Sequence, residues 1–247
     1  MEYSFVQDTS AATLSWTLHL LGLYPNIQRI VAEEVLKSVN NSTCELKDGE
    51  TLIVTKKMID KMPYLDAVIK ESMRLYPVAP FVLRRITETL VIPSPSPDGC
   101  ESSFTLPADT FACIWIYGLH RNKKFWHRPD DFLPERWIDP ELRQLDAAQG
   151  NGIGAGAYMP FASGPRSCVG QPLANVLIRI MLARIIMQCD IVDHRVDDMS
   201  GKLFNEEDIL YQTKSLRKEM QAGFTVLPQD GVWQSLHKRK HLEKHTS

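Results

Sequence analysis

The stretch Phe161-Ala-Ser-Gly-Pro-Arg-Ser-Cys-Val-Gly170 carries a single cysteine, Cys168, between a Gly-Pro-Arg turn and a long apolar segment that reads as a helix. The first turn of a helix has unpaired backbone N–H groups and the positive end of the helix dipole, and a sulfur placed there is favoured as the thiolate. Arg166 lies close upstream in the sequence and adds a cation that acts in the same direction. Gly164 and Gly170 flank the cysteine without side chains, which leaves room for a flat ligand to approach the backbone. The ordinary alternative is a buried structural cysteine at a helix start.

Outward from this stretch, the chain has 247 residues, 44% of them hydrophobic, enough for a substantial core in one large domain or two small ones. A formal net charge of −2 supplies no bulk field that would draw the chain to nucleic acid. The cysteines Cys44, Cys100, Cys113, Cys168 and Cys189 are odd in number and widely scattered, which speaks for free thiols rather than a disulfide framework. There is no C-x-x-C pair for zinc and no C-x-x-C-H for covalent haem attachment, so any haem would be held non-covalently. No run of about 18 apolar residues marks a membrane-spanning helix. The acidic and polar start MEYSFVQDTS lacks the basic and apolar regions of a signal peptide.

Periodicity predicts helices over Thr9–Tyr24, from Pro25 to about Lys37, over Asp60–Tyr76 with Pro77 as its stop, and from Val169 to about Gln188. The first is apolar on most faces through Ala12, Leu14, Trp16, Leu18, Leu20 and Leu21, which predicts deep burial. Residues 38–54 read as a polar loop. Short β-like runs lie at Phe81–Leu83, Leu90–Ile92 and Phe111–Ile116, with Pro93–Gly99 as a hairpin tip. Residues 139–157, ending in GNGIGAGA, are expected to form a flexible surface insertion. Asp190–Leu227 reads as short strands joined by charged loops.

The spacing Phe161-x-x-Gly164-x-Arg166-x-Cys168-x-Gly170 resembles the haem-binding signature of the cytochrome P450 family. The resemblance implies a mixed, mainly α fold with small β-sheets, of which this chain carries the C-terminal portion from the distal helix onward, most like eukaryotic microsomal-type members. It implies haem b with Cys168 as the axial iron ligand, where a thiolate pushes electron density onto the iron and favours O–O cleavage. Phe161 would lie against the proximal side of the ring and shield the sulfur. Arg166 and Arg84, with Arg85 an open alternative, would meet the haem carboxylates, which arginine binds well through its fork of donors.

Two further motifs match the same family. Glu71-Ser-Met-Arg74 places an acid and a base on one helix face, where they form a surface pair or, with Arg136 from Pro134-Glu-Arg-Trp137, a buried ionic triad. The triad is what the resemblance implies. Asp8-Thr9-Ser10 sets an acid beside a hydroxyl, either a helix cap or a proton relay. By resemblance Thr9 is the distal threonine and Asp8 its acidic neighbour. The family usually has small residues just before this acid, where this chain has Phe5, Val6 and Gln7. His120-Arg121 in GLHRNKKFW also resembles a family segment, with His120 expected to be packed or hydrogen-bonded rather than a ligand.

The resemblance runs from about residue 8 to 228 of a single partial domain spanning 1–247, and leaves 229–247 as a basic tail. In that tail His237, His241 and His245 would align on a helix as a metal site, or belong to a frayed terminus. Family members are much longer, so the chain is expected to be a fragment, a truncated protein or an incomplete gene product. Its opening helix would then expose Leu14, Trp16, Leu18 and Leu21. The implied activity is insertion of one oxygen atom of O2 into a small organic substrate, with electrons from an NADPH-dependent cytochrome P450 reductase or another donor. The alternatives are a truncated, non-catalytic haem-binding protein and a haem-thiolate isomerase or peroxide-using enzyme. The implied location of a full-length form is the cytosolic face of the endoplasmic reticulum membrane.

Overall fold

A computed structural model describes residues 2–40, 54–95, 101–149, 156–193, 220–222, 226–228 and 234–239. Helix α1 (Glu2–Leu23) begins earlier than the apolar pattern predicts, so Asp8 and Thr9 lie inside it and cap nothing. The side chains of Phe5, Val6 and Gln7 lie outside the described residues. Pro25 separates α1 from α2 (Pro25–Asn40), because the residue before a proline is disfavoured in helical geometry. In α2 the buried set Gln28, Val31, Ala32, Val35 and Val39 repeats at helical period and faces the core, while Ile30 faces outward.

The helix predicted over Asp60–Tyr76 is α4 (Pro63–Leu75), which starts at Pro63, and a separate short helix, α3 (Lys56–Ile59), precedes it. Met62, whose backbone (φ −118°, ψ 70°) lies outside helical geometry ahead of Pro63, separates the two. No side chain of its own caps α4. Glu34 of α2 does so instead, accepting from the backbone N of Tyr64 at 2.9 Å and of Leu65 at 2.8 Å.

Strand β1 (Val82–Arg85) pairs antiparallel with β4 (Phe111–Ile114), and β2 (Leu90–Pro95) with β3 (Glu101–Leu106). The hairpin tip expected at Pro93–Gly99 is therefore narrower, with Pro95 already opposite Glu101 and residues 96–100 outside the described set. After β4 the chain makes a short helix, α5 (Ile116–Leu119), where the sequence pattern extends a strand. A 3-10 turn follows at Pro134–Trp137.

Residues 139–149 are not a loose insertion: α6 spans Pro140–Gln149 and buries Asp146. Gly-rich residues 150–155 lie outside the described residues, and Ala157 beyond them is again buried. Helix α7 (Gln171–Gln188) leads into β5 (Cys189–Asp193). β6 (Met220–Ala222) pairs with β7 (Val226–Pro228). β8 (Gln234–Lys238) pairs with β5, which puts His237 opposite Asp190 on a strand. A helix aligning His237 with His241 and His245 is thus excluded at its first member, and residues 234–238 are not frayed; His241 and His245 lie outside the described residues.

The main core lies between α1, α2, α4 and α7. Trp16 and Tyr76 stack within it, centroids 4.2 Å apart, and large side chains buried this way contribute about 1.5–3 kcal/mol each. The chain itself covers Leu14, Trp16 and Leu21, contrary to the expected exposure of the opening helix; only Leu18 is partly open. Exposed apolar side chains lie elsewhere, among them Leu83, Phe111 and Trp115 and, along α7, Leu173, Leu177 and Met181. No helix among the described residues is long and apolar enough to cross a membrane.

Candidate haem site

The cysteine loop is built from its own backbone. Cys168 N donates to Phe161 O at 2.9 Å, Ser167 N to Gly164 O at 3.0 Å and Ala162 N to Met159 O at 3.0 Å. Gly164 has φ of 75° and Ala162 of 60°, so the loop turns through left-handed geometry on either side of Ser163. That conformation gives Gly164 its physical reason, since it does not line the cavity described next. Gly170 works through space: a Cβ there would stand 3.8 Å from Cys168 Sγ. Cys168 is exposed, which removes the alternative of a buried structural cysteine.

A cavity of about 470 Å³ opens beside the loop. Phe161, Arg166, Cys168 and Gly170 border it from the loop, Thr9, Ser10 and Thr13 from α1, and Ala174 and Ile178 from α7. Val78, Ala79 and Val82 supply further apolar wall. Segments far apart in sequence, α1 and the cysteine loop, thus meet across one space. Asp8 is exposed and not among the lining residues. Thr13 Oγ1 donates to Thr9 O at 3.1 Å, and Thr17 links α1 to Ser72 of α4 at 3.0 Å. The hydroxyl of Ser10 is buried with no hydrogen-bond partner at the wall of this cavity. Thr13 shares the helix face of Thr9 four residues on, and Ser10 carries no sequence signal of its own.

Arg84 and Arg85 point to opposite sides of β1, as strand alternation requires. Arg84 shares the face of Val82, which lines the cavity. Arg85 is ion-paired with Asp109 at 2.7 Å on the exposed side.

Behind the loop lies a buried ionic cluster. Glu71 Oε1 and Oε2 accept from Arg74 Nη2 at 2.8 Å and Nε at 2.9 Å. Arg136 Nε donates to Glu71 Oε1 at 3.0 Å, and the indole N–H of Trp137 to Oε2 at 3.0 Å. Arg74 spends its other donors on the carbonyls of His120, Pro129 and Asp131. Asp146 of α6 completes the cluster, its two oxygens accepting from Arg136 Nη1 at 2.9 and 3.0 Å. Burial pushes the Glu71 carboxyl up, but the guanidinium groups of Arg74 and Arg136 outweigh it and hold it below the usual range. Desolvation disfavours the Arg136 cation, and Glu71 and Asp146 more than offset it, so its pKa is raised. Sequence reasoning missed Asp146 because it lies in a segment whose glycines suggest a loose loop.

The donor set suits a flat, largely apolar ring with carboxylate substituents and a metal centre. A thiol opens into an apolar cavity, an arginine stands at its edge, and glycine keeps the space beside the sulfur clear. Among the described residues no group of three or more His, Cys, Asp or Glu is placed to hold a metal ion.

The family model that matches is Cytochrome P450, over residues 6–218. Curated relatives agree. Cytochrome P450 4V2 of Mus musculus is 32% identical over 236 residues, covering 95% of this chain and 36% of that protein. Cytochrome P450 6d1 of Musca domestica is 33% identical over 184 residues, 74% of this chain and 32% of the other. Cytochrome P450 4c3 of Drosophila melanogaster is 34% identical over 192 residues, 77% and 31% of the two chains. The chain belongs to the cytochrome P450 family, whose members bind haem through a cysteine thiolate and use redox partners and organic substrates. It spans about a third of the length of the curated relatives it matches.

Proposed function

We propose that this chain carries the haem-thiolate centre of a monooxygenase, in which Cys168 would hold a non-covalently bound haem b through its thiolate. The cavity shared by Cys168 and Thr9 is the observation that carries the reading. Bound haem supplies oxygen activation, with a thiolate favouring O–O cleavage. Cys168 would hold the iron through Sγ. Gly170 leaves the sulfur side open, and Phe161 on the cavity wall would shield the sulfur from water once a ring is bound, which matters because the polarity around a ligand tunes the metal it holds. Arg166 and Arg84 receive the carboxylates. Thr9 lines the cavity and its hydroxyl would hold a proton there, with Asp8, its neighbour on α1, as the acid that would resupply it. Glu71, Arg74 and Arg136, joined by Asp146, hold the scaffold under the loop.

On this reading the chain works as one partial domain, residues 1–247, with a reductase or other electron donor as partner and a small organic molecule as substrate. The resemblance to eukaryotic microsomal-type members supports association of the whole protein with the endoplasmic reticulum membrane. The second reading, a haem-thiolate protein without proton delivery to oxygen, is favoured by one observation: Asp8 stands outside the cavity lining.

The test is the spectrum of the reduced carbon-monoxide complex. Cys168→Ser should abolish the thiolate-type band, while serine at Cys113 and Cys189 should leave it intact. Retention of the band in Cys168→Ser would sink the assignment.

A further inference from the structure

Between the ionic cluster and the cysteine loop stands a side chain that the proposed chemistry does not use. His120 follows α5 and is fully buried. Its ring lies between two backbones: Nδ1 is 3.2 Å from the carbonyl oxygen of Arg74, and Nε2 is 2.9 Å from the backbone N of Met159. A carbonyl only accepts and a backbone N–H only donates, so the neutral tautomer is set, with the proton on Nδ1 and the lone pair of Nε2 facing Met159. The carbonyl of His120 itself accepts from Arg74 Nη1 at 2.8 Å. The ring stacks on Tyr158, whose hydroxyl donates to Lys70 O of α4 at 3.1 Å.

Met159 leads directly into the site. Pro160 and Phe161 follow it and line the cavity, and Phe161 O receives the N–H of Cys168. An unbroken path of hydrogen bonds therefore runs from the Glu71–Arg74 pair through His120 to Met159, and from there along the chain to the sulfur-bearing residue.

We propose that His120 is a positioning residue for Cys168: its Nε2 clamps Met159 and ties the loop 161–168 to α4. The chemical consequence rests on Cys168 being the ligand, but the clamp is testable without haem. Glutamine places its amide about where Nε2 stands and can accept from Met159, whereas asparagine reaches only the position of Nδ1 and keeps the Arg74 bond alone.

Amide hydrogen exchange read by mass spectrometry on the full chain, with His120→Gln and His120→Asn, decides the matter. In His120→Asn, exchange over 157–168 should accelerate by about tenfold, the effect of one lost buried hydrogen bond. Exchange in α2 and in the β2–β3 hairpin should stay at the wild-type rate, and His120→Gln should match wild type throughout. With haem bound, His120→Asn should lose part of the thiolate-type carbon-monoxide band and His120→Gln should keep it. Identical behaviour of the two variants, or acceleration spread evenly along the chain, would overturn the clamp. Failure of Cys168 as ligand would alter the band and leave the exchange pattern standing, so the two failures are distinguishable.

Discussion

Asp146 accepts from Nη1 of Arg136 through both carboxylate oxygens, at 2.9 and 3.0 Å, so the arginine that Glu71 holds through Nε is held a second time. Two carboxylates and two guanidinium groups then balance within one buried site. Removing any one member leaves an uncompensated buried charge, and charge balance matters more here than any single contact.

Asp146→Ala should therefore destabilise the fold by about 3–5 kcal/mol, as much as Glu71→Ala, Arg74→Ala or Arg136→Ala, and with the same loss of haem incorporation. Urea denaturation of the variants checks it. A change for Asp146→Ala within about 1 kcal/mol of zero, the range of a surface pair, would show that Arg136 is secured by Glu71 alone.

Acid should act on the fold in two stages. Burial, with Arg74 beside it, lowers the His120 pKa from 6.5 to about 3. The unfolded chain then binds a proton between those values that the folded chain refuses, so stability falls as pH drops. From pH 7.5 to pH 5 the loss from this one group is about 2 kcal/mol. His120→Gln should flatten that part of the profile. The Glu71 carboxyl has a depressed folded pKa, so its contribution is present above the ordinary carboxylate value of 4.5 and is lost only as pH falls through the lower folded value. An unchanged slope between pH 7.5 and 5 in His120→Gln would disprove the assignment of that stage.

Much of this was legible from residues alone. The helices follow apolar period and proline punctuation, and Glu71 and Arg74 are three apart on one helix, so their meeting needs no tertiary knowledge. The misses share a cause: long-range partners decide them. Asp146 is buried because Arg136 needs a second anion, not because α6 is apolar. Glu34 caps α4 from another helix, across a chain separation that no capping motif spans. Arg84 is the first candidate in sequence with Arg85 its alternative; strand alternation puts them on different faces, and only the cavity lining at Val82 and the Arg85–Asp109 pair tell which face belongs to which. Leu14, Trp16 and Leu21 are covered by elements that follow them, so the burial read from an all-round apolar helix is met within this chain.

Thr9→Ala should keep haem content and fold while separating oxygen consumption from product formation in the full enzyme. Thr9 is only partly buried and lies on the cavity wall, so its loss leaves no large void. Simultaneous measurement of oxygen uptake, peroxide and product checks this. Unchanged coupling would remove Thr9 from the relay and favour the reading without proton delivery.

The arginines of β1 give the sharpest contrast. Arg84 follows Val82 on the cavity face, and its Nη1 donates only locally in this structure, to Leu83 O at 3.0 Å. Arg85, opposite Phe111 in the strand register, is already paired with Asp109 on the solvent side. A charge-assisted hydrogen bond to a haem carboxylate is worth about 1.5–3 kcal/mol, so Arg84→Ala should weaken haem binding by about tenfold or more. Arg85→Ala loses a surface ion pair worth about 0–1 kcal/mol of stability and should leave haem affinity unchanged. Transfer of haem to apomyoglobin, timed for each variant, measures the difference. Faster loss from Arg85→Ala than from Arg84→Ala would mean that strand alternation has been assigned to the wrong side and that the cavity wall at Val82 does not face the carboxylates.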